Sequence, residues 1–235
     1  MVSVGFGGRM RMIATAGVTV AVMLVAGCGE SQYTYVSNTE DKAFFKVPSG
    51  WSEADVKPID DYFAWSLFDV EPDSATRGQV DQIIWSAAYD ADEEPTGHHM
   101  VTSYPTGAPV AYSLVLHMPE PLRGPVSLDY LRNIFLPVTE SVRAAYDQAG
   151  DSGLSGFELL ADEVLTPAEG IRGVRVVYNY RLSSGVVHTI DLTAHANNDS
   201  SIIYLLLIRC TAACYTERAD ELNEIATSFT VRSQS

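Results

Sequence analysis

Ser201-Ile202-Ile203-Tyr204-Leu205-Leu206-Leu207-Ile208-Arg209 is apolar from Ile202 to Ile208 without a break. An extended strand of this kind avoids water on both faces, so it belongs at the centre of a sheet covered on both sides. Two strands are read upstream of it. Gly173 to Leu182 (GVRVVYNYRL) alternates Val174, Val176, Tyr178 and Tyr180 with Arg175, Asn179 and Arg181, and Val186 to Ala194 follows. Asn197-Asn198-Asp199 reads as the hairpin turn into the central strand. Downstream, Thr216 reads as a helix cap with Glu217 and Asp220 in the first turn, and Leu222, Ile225, Ala226 and Phe229 form one apolar stripe.

The preceding half gives more of the same sheet. Ala43 to Val47 alternates as a strand and stops at Pro48-Ser49-Gly50-Trp51. Tyr62 to Val70, Val80 to Tyr89 and Val110 to Met118 read as further strands, the last two as a hairpin whose tip is the acidic segment 90–109. Such a long tip is either functional or merely mobile. Ser127 caps a helix carrying Leu128, Leu131, Ile134, Phe135 and Val138, with a break expected at Pro137; a second helical piece runs from Thr139 to Ala149 and stops at Gly150. Residues 157–165 read as a strand or a short helix. The fold class expected is α+β, a mostly antiparallel central sheet flanked by helices.

The first residues say where the protein works. Arg9 and Arg11 precede an apolar run over 12–26, and no acidic residue occurs before Glu30. This is the layout of a secretory signal, and the run is too short for an ordinary membrane-spanning helix. It ends Leu24-Val25-Ala26-Gly27-Cys28, which resembles the bacterial lipobox. That resemblance implies cleavage before Cys28, acylation of Cys28, and an anchor in the cell membrane with the protein on its extracytoplasmic side. The organisation expected is a lipoprotein signal over 1–27, the lipidated Cys28 with a polar tether over 28–42, and one globular domain over 43–232.

Charge narrows the partners. The chain stands at −15, and the segment 1–27 carries two basic residues and no acidic one, so the remainder stands at −17. Such a surface repels nucleic acid, and the basic residues do not cluster with aromatics, so no nucleic-acid partner is expected. With hydrophobic residues at 46% and aromatics at 10%, the chain is a folded domain rather than a disordered one. Cys210 and Cys214 remain after Cys28, and in an oxidising compartment they are expected to form a short-loop disulfide.

Phe44-Phe45-Lys46-Val47-Pro48-Ser49-Gly50-Trp51, Gly173 to Tyr178, and the strand 201–209 followed by the helix ending at Phe229 together resemble the PsbP-like fold. That fold was first met in an extrinsic photosystem protein and is shared by bacterial lipoproteins including the LpqN/LpqT group. The resemblance covers residues 43–232 and implies an α-β-α sandwich with scaffolding, assembly or ligand-binding roles and no enzymatic activity. It carries over no functional residue.

Candidate functional residues are few. His98 and His99 adjoin Asp92, Glu93 and Glu94, but their spacing does not converge them on a metal, and the carboxylates lack a calcium-loop register, so no metal and no cofactor are expected. Asp191, Thr193 and His195 share one strand face, which resembles part of a hydrolase triad, yet no Gly-x-Ser-x-Gly occurs. Aromatics crowd the N-terminal half. Trp51, Trp65 and Trp85 with His98 and His99 are the candidate surface for a ligand or partner. Three functions stay open. They are a non-catalytic binding or assembly protein of the envelope, a carrier of a hydrophobic or glycolipid ligand in an aromatic-lined pocket, and, more remotely, a hydrolase.

Overall fold

The segment expected to be central is central. In the computed structural model, which describes residues 1, 31–72, 74–81, 84–103, 107–150 and 153–232, strand β9 (Ile202–Thr211) is buried at every position from Ile202 to Cys210. It pairs antiparallel with β5 (Val110–His117) on one side and β8 (Val187–Asn197) on the other. Beyond β5 come β4 (Ile84–Asp90) and the short β3 (Ser52–Glu53); beyond β8 come β7 (Ile171–Arg181) and the edge strand β6 (Ser155–Ala168). All neighbours in this seven-stranded sheet are antiparallel. A second sheet, β1 (Tyr33–Asn38), β2 (Ala43–Pro48) and β10 (Thr230–Val231), pairs β2 with both partners. The chain is thus α+β, as expected.

Alternation along β9 divides the interior into two cores. Ile203, Leu205 and Leu207 join Val174, Val176, Ile190, Leu192, Tyr112 and Leu114 in the first. It is covered by α1 (Lys57–Phe68), α3 (His98–Val101), α4 (Leu128–Arg132) and the segment that follows. Tyr204, Leu206, Ile208 and Cys210 join the second, covered by α6 (Ala212–Glu217), α7 (Ala219–Ser228) and the small sheet. Each fully buried Leu or Ile is worth about 1.5–3 kcal/mol of transfer free energy, so β9 is the most strongly held element. Ser127 caps α4 as expected, its hydroxyl accepting from the Tyr130 N–H, but the helix stops at Arg132 with Asn133 as its C-cap, before the break expected at Pro137, and Ile134, Phe135 and Val138 reach the core from the irregular segment that follows; α5 (Glu140–Ala149) ends at Gly150 with φ 101°.

Further expectations change. Val80, read as the start of a strand, lies in the short helix α2 (Arg77–Asp81), and the strand itself is β4. Residues 33–38 are not tether: they form β1, paired residue for residue with β2 from Tyr33↔Pro48 to Asn38↔Ala43. Tyr35 and Ser37 face outward while Val36 and Asn38 are buried, an alternation that only the partner strand reveals. Tyr62 to Val70 is not a strand: Tyr62 to Phe68 is the end of α1, and Asp69 is its left-handed C-cap. Pro58 sits in its first turn, where a missing N–H costs nothing, and Ile59, Phe63 and Ala64 are buried at helical spacing. Thr216 lies within α6 rather than at a cap; Thr211 is the cap, accepting from the Cys214 N–H. The leader, Cys28 and its acylation lie outside the described residues; among those described, no helix is long and apolar enough to cross a membrane.

The segment after β4 is tied down rather than free. Asp90, without solvent exposure, accepts from the N–H groups of Asp92 and Thr96 and meets His99 Nδ1 at 2.6 Å. Arg209, buried at the end of β9, donates to the carbonyls of Met100 and Thr102 and lies 3.3 Å from His188 Nδ1. Gly97 passes so close to α1's approach that a Cβ there would lie 2.0 Å from the Asp55 carbonyl oxygen. Gly97→Ala therefore forces backbone apart, and a loss of about 1–3 kcal/mol, typical of overpacking, is expected from urea unfolding monitored by circular dichroism.

Candidate functional site

Helix α1 buries one face and leaves an apolar flank in water. Tyr62, Trp65 and Phe68 follow at i, i+3 and i+6, and Trp65 is 54% exposed. Opposite stand Tyr130 of α4, Phe135, and Tyr146 of α5, itself 49% exposed. Between them lies a hollow of about 340 Å³, adjoined by an outer hollow of about 560 Å³ that reaches Trp65, Phe68 and Leu122. The two share Tyr62, Ser66, Leu67 and Tyr146, so they form one groove.

The groove has a rigid floor. The Tyr62 hydroxyl donates to the Phe135 carbonyl, its ring meets Phe135 edge-on at 5.3 Å, and burial pushes its phenol well up, so it stays a neutral donor. Phe63 stacks on Tyr112 at 5.6 Å directly beneath. Asn133 fixes the turn between α4 and α5 by accepting from the Val138 and Thr139 N–H groups on its Oδ1. Asp69 and Asp129 line the groove, and no lysine or arginine does. An anionic headgroup would find only like charge there. An apolar chain or the apolar face of a sugar would find aromatic rings beside carboxylates and an amide.

The five residues expected on one surface are not brought together. Of them only Trp65 lines the groove. Trp51 is buried in the second core with the Arg218 guanidinium 5.7 Å from its ring centre, and Trp85 packs half-buried against that core. His99 is held by Asp90, and His98 Nδ1 lies 3.3 Å from the Thr96 hydroxyl. Among the described residues, no group of three or more His, Cys, Asp or Glu is arranged to hold a metal ion. Tyr146 and Leu122 escaped the sequence reading, because Leu122 stands alone between prolines and charged residues and Tyr146 is the one large ring in an otherwise small and polar helix; a lone large apolar side chain on an exposed element was the available signal.

The expected disulfide is not formed: Cys210 and Cys214 are both buried free thiols. Cys210 lies near the end of β9 on the second-core face and Cys214 sits in the first turn of α6, so their side chains meet as a thiol pair; that hydrogen bond, with burial, pushes the Cys210 thiol up, and the same hydrogen bond lowers Cys214 against its burial. No catalytic triad forms either. Asp191 gives its oxygens to Arg175 (3.0 and 2.7 Å) and to the Tyr215 hydroxyl (2.8 Å), and His195 Nδ1 makes no hydrogen bond.

Two buried imidazoles set an acid limit. Burial pushes His195 down to about 4, and burial with the Arg209 charge does the same for His188. Both pKa values are lower folded than unfolded, so below about 6.5 the unfolded chain binds protons the folded chain refuses. Stability is therefore expected to fall as pH drops from 6.5 towards 4, by up to about 3 kcal/mol for each histidine. Urea unfolding at pH 7.5, 5.5 and 4.5 checks this: His195→Gln should flatten the decline, and an equally steep decline in that variant would refute the assignment.

No family model and no curated protein matches this sequence. Solved structures do. The chain is similar to cyanobacterial PsbP (CyanoP) from Synechocystis sp. PCC 6803, at 15% identity and a TM-score of 0.46, covering 87% of this chain and 95% of that one. It is similar to the Saccharomyces cerevisiae Ran-binding protein Mog1p, at 12% identity and a TM-score of 0.41 over 85% and 95% of the two chains. It is similar also to LpqN, described as involved in cell envelope biogenesis of Mycobacterium tuberculosis, at 12% identity and a TM-score of 0.38 over 85% and 90%.

Proposed function

We propose that this chain is a non-catalytic binding protein of the cell envelope, anchored through lipid on Cys28, that holds a hydrophobic or glycolipid ligand in the groove between α1 and α4–α5. The observation that carries this reading is the groove itself. Trp65 and Tyr146 keep about half of their surface in water across a hollow whose floor is already rigid. A monomeric domain gains nothing by leaving two large rings unburied side by side; covering each is worth about 1.5–3 kcal/mol to whatever covers it. The absence of cations along the groove and the acidic surface select a ligand without negative charge. Acylation at Cys28 would keep the groove beside the membrane from which such a ligand is drawn.

Residues from Ser31 onward form a unit with both cores inside it, so a soluble form beginning there serves as the probe. Dodecyl maltoside, a sugar head on one alkyl chain, is titrated below its micelle threshold into a Trp51→Phe, Trp85→Phe variant, where Trp65 is the sole tryptophan. A saturable blue shift is expected, and Tyr146→Ala should weaken it about tenfold, the equivalent of about 1.4 kcal/mol. Unchanged Trp65 emission across the titration would remove the carrier reading. In the native host, Cys28→Ala should move the full chain out of the mature membrane-anchored form; the same processed, membrane-bound species in the variant would remove the anchor.

A further inference from the structure

The groove between α1 and α4–α5 is not uniform along its length, and its two ends differ in charge. The inner hollow holds Asp129, whose Oδ1 takes Arg132 Nη1 at 2.9 Å, so the acid there is already matched. The outer hollow lies where α1 ends, lined by Ser66, Leu67, Phe68 and Asp69. The last carbonyls of a helix carry partial negative charge, and α1 has no basic residue in its last turn. Asp69 adds a full negative charge at that end; it is exposed and has no ion pair among the described residues.

Two rings stand beside this negative end. Trp65 and Tyr146 are 54% and 49% exposed, and both line the outer hollow. The face of an aromatic ring is electronegative and attracts a cation laid on it, tryptophan most strongly. Neither arginine of the helices opposite supplies that cation. Arg132 is divided between Asp129 and Asp162, and Arg143 turns to the Val138 carbonyl and the Phe157 ring. Elsewhere on the molecule Lys46 Nζ lies 3.8 Å from the centre of the Tyr33 ring and 2.6 Å from Glu224, so ring, carboxylate and ammonium already meet in this fold. The outer hollow presents the first two of the three.

Resting on the reading of this groove as a ligand site, we infer that its ligand is an alkylammonium amphiphile. The cationic head lies in the outer hollow against Trp65, Tyr146 and Asp69, and the chain runs inward over Ile134 and Phe135. A neutral sugar head would stack on the rings but leave Asp69 and the helix end unanswered. An anionic head would be repelled by both. The reverse orientation would bring the ammonium to Asp129, where Arg132 already stands.

The test uses one chain length and three heads. Octyltrimethylammonium, whose charge does not change with pH, octyl glucoside and octyl sulfate are each titrated below their micelle thresholds into the unit beginning at Ser31. Salt at about 0.15 M screens the long-range field of the acidic surface. Binding is read from Trp65 emission in the Trp51→Phe, Trp85→Phe variant and from backbone ¹⁵N shifts of α1 and α5 in the unsubstituted unit. The ammonium is expected to bind about tenfold or more tightly than the glucoside, and the sulfate most weakly. Asp69→Asn should lower ammonium affinity about fivefold or more and leave the glucoside unchanged. Asparagine accepts the left-handed backbone at this position, φ 55°, so the helix end is kept. Glu217→Gln removes the same charge from α6, on the opposite face of the sheet, and should change neither affinity by more than about twofold. Glucoside binding as tight as the ammonium, or an Asp69→Asn loss no larger than that of Glu217→Gln, would overturn the ammonium head and leave the groove a ligand site. No saturable response to any of the three would remove the groove and the inference together.

Discussion

Residues 202–210 have no solvent face, and a strand in that position is stable only if both of its faces are covered at once. A single helical layer would leave Tyr204, Leu206 and Ile208, or else Ile203, Leu205 and Leu207, against water. The chain meets the demand with unlike materials: helices of the middle segment on one face, the last two helices and a small three-stranded sheet on the other. The small sheet draws on both ends of the domain, since β10 pairs with β2 through Val231↔Ala43. Covering the second face thus joins β1 and β2, near the start of the domain, to β10 near its end. It also explains why β1 is not spare chain.

Covering β9 also fixes what its polar ends do. Asp90 and Arg209 lie in one cross-strand row, separated only by Val110. Each is fully withdrawn from water, and an unpaired charge there would be costly. Both therefore reach sideways into the segment that follows β4: Asp90 takes its N–H groups, Arg209 its carbonyls. Burial lowers the Arg209 guanidinium to about 10, still charged at neutral pH. A stretch that reads as a long acidic tip is held at both ends by one buried acid and one buried base. His99 is consumed in that bracing, so its chemistry is structural.

What was legible in the sequence follows the range of the interactions involved. β9, the Asn197–Asp199 turn, the Ser127 cap and the Leu222–Ile225–Ala226 stripe are decided within a few residues, and each stands where the sequence put it. α1 was not legible, because Tyr62 to Val70 is apolar on its exposed flank as well as its buried one, and a run broken only by Ser66 and Asp69 blurs the helical period. The feature that hid the helix is the one that makes the groove: Trp65 breaks amphipathic order because it faces a hollow rather than water alone. β1 was not legible for the opposite reason, since its polar side chains are explained only by a partner strand. The even spacing of Asp191, Thr193 and His195 was visible, but their separate fates depend on residues elsewhere: Arg175 and Tyr215 engage the first, while Gly173 makes room for the last.

The edge of the sheet bears on how these surfaces could be used. β6 runs over fourteen residues with Leu159, Leu160 and Val164 exposed, which in a flat strand would invite pairing with another chain. Its register with β7 shifts at three places, and Glu158, Asp162 and Glu163 interrupt the apolar residues. Asp162 is gripped by Arg132 of α4, and Arg143 of α5 lies over Phe157 at 4.2 Å. The irregular, acidic edge resists strand addition, and α4 and α5 hold it from the groove side. The same strand supplies Glu163 and Leu165 to a hollow on the other face. One edge strand therefore contributes to both faces while the stiff sheet between keeps them apart, so filling the groove need not deform the opposite face.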